Sequence, residues 1–214
     1  MADLKLGPNE QYRSAIEFAA QRTGLDPAAL AALIDAEAAK LPSGVWDANS
    51  AAQSSSAVGL TQFLAATWRE MALRPTTLLH EEATAQGCID PETNAIQDDS
   101  ALLELRRDPR LSITTAAEYG RANLDYLSAN GIDAADEDDE ARLAYLAHHE
   151  GPQGARRFIE GTIGEAHAQQ LLATNVGSSK ADTLRAAATS WETAYKTWLD
   201  GYISAKIQPS RFRA

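Results

Sequence analysis

The chain has 214 residues, enough for one fair-sized domain or a domain with an extension, and either can bury a real core. Its formal net charge of -11 at pH 7 argues against nucleic acid as a partner, because that affinity rests largely on Lys and Arg neutralising phosphates. A single cysteine, Cys88, excludes an internal disulfide framework and, with only four histidines, a cysteine-rich zinc site, so Cys88 reads as a small buried or loop thiol.

Alanine is abundant and β-branched or aromatic runs are scarce, so the expectation is a mostly α fold. Apolar spacing predicts helices over 9–22, 27–40, 61–73, 92–107, 113–129, 138–150, 153–160, 163–173 and 181–205. No apolar run reaches the roughly 18 residues that span a bilayer, so no stable membrane insertion is expected. The opening "MADLKLGPNEQYRS" lacks a basic segment followed by an apolar run, so a secretory signal of the usual kind is not expected, and synthesis in the cytoplasm is.

In chain order, Asp26 before Pro27 is a start signal, since Asp caps free amides and Pro is tolerated in the first turn. In the helix that follows, Leu30, Leu33, Ile34, Glu37 and Leu41 fall on one stripe, which sets a carboxylate on the face that should meet the core. The next segment, "LPSGVWDANSAAQSSSAVG", reads as an ordered loop or short hairpin, and a loop of that length in a compact domain is more often functional than idle. The acidic run "GIDAADEDDEAR" reads as a solvated turn whose charges favour the positive end of the following helix. Near the C-terminus, Trp191, Tyr195, Trp198 and Tyr202 form an aromatic stripe that suits a packing face or a docked partner.

Glu37 is the first candidate for chemistry. Desolvation and the negative end of the helix dipole both disfavour its charged form, which suits an acid that donates a proton to a glycosidic oxygen. The alternative is a buried structural carboxylate bonded to backbone, or a helix turned so that it reaches water.

Three stretches bear on that choice: "TGLDPAALAALIDAEAA", "SSSAVGLTQFLAATWREM" and "LAYLAHHEGPQGARRFI". In order and relative position they resemble the soluble lytic transglycosylases, which cleave bacterial peptidoglycan and share a fold with goose-type lysozyme. That family has a helix ending in Glu-Ser, then Gly-Ala-x-Gly-Leu-Met-Gln, then Ala-Tyr-Asn-Ala-Gly-Pro. The matching pieces are Glu37-Ala38, Ser56-Ala57-Val58-Gly59-Leu60-Thr61-Gln62 and His148-His149-Glu150-Gly151-Pro152. "DPRLSITTAAEYGRANLDYL" is similar to the helix that supports the cleft, and the resemblance covers roughly residues 12 to 160. Ala38, Thr61 and the His148-His149 pair depart from the pattern, and with the long loop after Glu37 they are similar to the versions found in phage endolysins, virion-associated muralytic enzymes and toxins delivered by secretion systems.

The resemblance implies a lysozyme-like catalytic domain over residues 8–176, with 177–214 as a C-terminal helical extension packed on it. It implies that Glu37 alone acts as acid and then base on the bond between N-acetylmuramic acid and N-acetylglucosamine, closing a 1,6-anhydro ring on a peptidoglycan strand. A hydrolytic muramidase would need a second carboxylate, from Glu150 or Asp47, either of which could instead be structural. Ser56, Gln62, Tyr145, His148 and His149 are the expected substrate-binding residues, with Gln62 alternatively a plain helix-start residue and His149 a capping or surface histidine, and Trp46, Trp68 and Tyr145 are either sugar-stacking or core rings. Neither "HHEGP" nor "HEEAT" contains the H-E-x-x-H spacing, so no metal and no cofactor is expected. A monomer is expected, reaching the wall or periplasm after release by a holin or a secretion apparatus. The rival from another class is a glycan-binding or virion structural module that has lost turnover.

Overall fold

The computed structural model describes residues 4–53 and 55–214. It is mostly helical, 66% of it, and among the described residues extended segments meet only in isolated bridges. The chain forms two compact units, one containing the described residues up to Ala122 together with Gln208–Ala214, the other Asn123–Ile207.

In the first unit a 3-10 segment, Gly7–Tyr12, kinked at Asn9, runs into α1 (Arg13–Thr23), which ends at Gly24 in a left-handed conformation. Asp26 then accepts the amide of Ala28 at 3.1 Å and starts α2 (Pro27–Glu37), as the Asp-Pro signal predicts. Leu30, Leu33 and Ile34 are buried on its stripe. The helix stops at Glu37, three residues short of the expected end, because Ala38 turns extended at ψ 133. What replaces the last turn is a tight hairpin: Lys40 bridges Trp46, Leu41 N bonds Val45 O, and Asp47 N bonds Ala39 O, each N–O distance being 2.8 Å. Burial of the Trp46 ring, which stacks on Tyr12, outweighs one more turn of helix. Leu41, expected on the stripe, is consequently 46% exposed.

Three other helices of this unit differ from expectation. α3 (Ala65–Ala72) begins late because residues 59–62 form a turn, Phe63 bridges Val58 and Leu64 is extended. α4 (Leu78–Ala85), unforeseen, starts where Thr77 accepts the amide of His80 at 3.1 Å. The predicted helix 92–107 shrinks to α5 (Asp99–Glu104) and a 3-10 turn, because Asp90 Oδ1 accepts the amides of Glu92 and Thr93 and Asn94 is left-handed, which folds 89–96 back on itself. α6 (Pro109–Ala129) repeats the Asp-Pro start, with Asp108 accepting Leu111 N at 2.9 Å, and passes from the first unit to the second after Ala122.

In the second unit Asp136 caps α7 (Glu137–Glu160), whose acidic first turn is the solvated run expected from the sequence. Gly151, at φ 71, breaks α7 where two helices were expected. α8 (Glu165–Val176) and α9 (Ser178–Ala186) follow, then α10 (Trp191–Lys206), capped by Ser190; the turn at 187–190 splits the expected helix 181–205. The aromatic stripe packs inside this unit: Tyr195 sits edge-on to Phe158 at 5.9 Å and Tyr202 stacks on Tyr145 at 6.3 Å. α10 packs on α7, α8 and α9, so the division expected at 176/177 falls inside one unit, while Gln208–Ala214 belongs to the other. No described helix is long and apolar enough to cross a membrane.

Candidate functional site

Glu37 is the last residue of α2 and is half-buried, at the end of the stripe rather than within the core. Its carboxylate makes no hydrogen bond or ion pair with any described residue. The contrast with Asp35 is informative: that carboxylate takes the Trp46 indole N–H at 2.9 Å and Lys40 at 3.2 Å. A half-buried carboxylate with no protein partner keeps its oxygens for water or a ligand.

The segment after Glu37 is ordered by a chain of hydrogen bonds centred on buried Ser50. Ser50 N donates to Asp47 O at 3.1 Å, Gly59 N donates to Ser50 O at 2.9 Å, and Ser50 Oγ donates to Gly59 O at 3.0 Å. The side-chain amide of Gln62 joins this hub, donating to Ser50 Oγ at 3.0 Å and Gly59 O at 2.8 Å. Gln62 is half-buried and left-handed at φ 49, a conformation a side chain rarely adopts unless the surroundings impose it. With its N–H groups spent, Oε1 is left as an acceptor with no described partner.

Arg106 clasps the two ends of the Gly59 turn. The residue is 7% exposed, its guanidinium donates to Ser56 O at 2.6 Å and Phe63 O at 3.2 Å, and burial pulls its pKa down. Gly59 lies so close that a Cβ on it would stand 2.1 Å from Arg106 O, and its φ of +84 is one that L side chains rarely adopt. Thr61 is fully buried and shares a 2.9 Å hydrogen bond with Ser112 of α6. Ser56, expected to bind substrate, has its hydroxyl engaged in accepting the first amide of α3, Ala65 N, at 3.1 Å.

Asp47 lies in the same network, its amide bonded two residues beyond Glu37 at Ala39 O. One carboxylate oxygen accepts Asn49 N at 2.9 Å in a local turn, and the other has no described partner. Trp46 and Trp68 are core rings, each almost fully buried, with indole N–H groups bonded to Asp35 and to Leu102 O.

The remaining expected site residues belong to the second unit. Tyr145 is 1% exposed and packs on His149 and Tyr202, so its ring is a core element with no face for a sugar. His148 and His149 are half-buried in the turn before the Gly151 break. Glu150 is not paired with Arg156, which binds Glu160 and Asn130 instead. Its Oε1 accepts the hydroxyl of Tyr195 and lies 3.6 Å from His149 Nε2, while Oε2 makes no described hydrogen bond. Burial, then the adjacent Glu150 charge, push the Tyr195 hydroxyl well above its ordinary pKa. Gly154 leaves the room this carboxylate occupies, since a Cβ there would meet Glu150 Cβ at 3.0 Å.

Sequence reasoning missed Ser50, Arg106 and Tyr195. Arg106 and Ser50 act through backbone carbonyls across long stretches of chain, which no local pattern reveals. Tyr195 was visible only as one ring of a packing stripe. No protein-family model matches the chain.

Proposed function

We propose that the protein has a lysozyme-like fold and cleaves the glycan strand of peptidoglycan, as a lytic transglycosylase of the phage endolysin or muralytic effector type, with Glu37 as acid and base. The observation that carries this reading is the unpartnered carboxylate at the end of α2, beside a loop that is ordered through Ser50 and Arg106 and presents Gln62. The resemblance of the three sequence stretches supports it. Protonated Glu37 gives its proton to the glycosidic oxygen as the bond to the muramic acid C1 breaks. The resulting carboxylate takes the proton of the C6 hydroxyl, whose oxygen closes on C1 to form the 1,6-anhydro ring, and Glu37 is protonated again. Gln62 Oε1 is suited to accept from a sugar hydroxyl or acetamido N–H.

A muramidase is the second reading, favoured by Asp47, whose amide is bonded beside the Glu37 turn and which keeps one carboxylate oxygen uncommitted. Water would then replace the C6 hydroxyl. The charge of -11 gives no attraction to an anionic wall, which suits delivery by a holin or a secretion apparatus.

The test is clearing of purified sacculi by wild type and Glu37→Gln, with mass spectrometry of the products. We expect Glu37→Gln to lose about a hundredfold to ten-thousandfold in rate with the fold intact. Anhydro ends support the transglycosylase, reducing ends the muramidase, and no clearing by wild type overturns both in favour of a binding module.

A further inference from the structure

The closing segment Gln208–Ala214 leaves the second unit and packs on α2, the helix that ends in Glu37. Arg213 reaches the start of that helix: its Nη2 and Nε lie 2.5 and 3.2 Å from Asp26 Oδ2, while Asp26 Oδ1 caps Ala28 N. One carboxylate therefore both caps the helix and holds the chain terminus. A cation near a helix N-terminus works against the dipole, so the position of Arg213 is explained by Asp26 and not by the helix field. Arg211 reaches the last turn, 3.7 Å from Asp35 Oδ2, two residues before Glu37. Asp35 Oδ1 in turn receives the Trp46 indole N–H, and Phe212, 8% exposed, packs on Trp46 at 6.3 Å. The segment is itself tied down, since Lys5 N donates to Phe212 O at 2.8 Å and Leu4 bridges Arg213.

α2 is short, and its end at Ala38 carries no glycine cap. Leu30, Leu33 and Ile34, with Ala28, Ala31 and Ala32, are buried and hold the middle of the helix by packing. The ion pairs at Asp26 and Asp35 add directional ties near its two ends. We infer that Gln208–Ala214 is a strap that positions Glu37, with Arg213 and Arg211 as positioning residues; for catalysis this rests on the reading of Glu37 given above. The strap comes from outside the stretch that resembles the transglycosylases, so it assigns a role to the end of the extension.

The experiment uses the full chain with Arg213→Gln, Asp26→Asn and Arg213→Lys. Asp26→Asn keeps the cap, because Asn caps as well as Asp, while removing the charge that Arg213 needs. Hydrogen exchange is followed over residues 34–39, and kcat and KM on sacculi are measured per folded molecule. Arg213→Gln and Asp26→Asn are expected to raise exchange over that stretch about tenfold and to lower kcat about tenfold with KM within about twofold, with Arg213→Lys restoring much of both. Unchanged exchange in both variants overturns the strap, and raised exchange with unchanged kcat overturns its positioning role. A wild type inactive on sacculi removes the proposed function, and the exchange data then decide whether the strap holds α2.

Discussion

Single residues in this protein are decided by where their last partner comes from. Glu37 and Asp35 are two positions apart on one helix, yet Asp35 is met by Trp46, Lys40 and Arg211 while Glu37 has no described partner. Gly59 is the opposite case, a residue whose identity is dictated by a backbone oxygen. Gly59→Ala would force a methyl against Arg106 O, 2.1 Å away, at a φ unsuited to side chains. We expect it to cost about 3 kcal/mol, read as a lower urea midpoint at unchanged m-value. Buried Thr61, two residues on, has a hydroxyl partner on Ser112.

At the level of elements, α10 is a packing helix that also satisfies a buried carboxylate. Tyr195 donates to Glu150, and burial raises its own pKa, so the folded protein favours the neutral phenol. The sign follows: this contribution to stability is complete below the unfolded tyrosine pKa of about 10 and declines as pH rises beyond it. In an alkaline titration followed at the phenolate absorbance, Tyr195→Phe should remove one tyrosine from those that ionise only on unfolding. It should also destabilise by about 1 to 3 kcal/mol at neutral pH, since Glu150 loses its donor. If the number of late tyrosines is the same in wild type and variant, the buried hydrogen bond is refuted.

For the molecule as a whole, the net charge of -11 and the fold of the chain terminus matter most. Cell walls are anionic, so on the proposed function repulsion should slow clearing at low salt. Raising NaCl from about 10 mM to about 150 mM shortens the screening length from roughly 30 to 8 Å and should speed clearing several-fold. Clearing that only slows with added salt would point to an attractive basic surface instead. Gln208–Ala214 belongs to the unit that carries Glu37.

Composition and spacing by themselves determined the helical class, the Asp-Pro start of α2, the break at Gly151 and the solvated acidic run; they started α6 four residues late, at 113, and set Glu37 inside a stripe that in fact ends with it. Each feature so determined depends on neighbours within a few positions: an amide three residues on, a ring with no N–H, a side chain one turn away. The early end of α2 was not legible, because it depends on burying Trp46 against Tyr12, from a different part of the chain. Nor were Ser50 and Arg106 as the hub and clasp of the Gln62 loop, the Tyr195 bond to Glu150, or the ties from Arg211 and Arg213 to Asp35 and Asp26. Those partners lie from 9 to 187 positions apart. Only tertiary structure decides them, because a hydrogen bond or ion pair is set by distance in space, and local pattern carries no information about which distant segment arrives there.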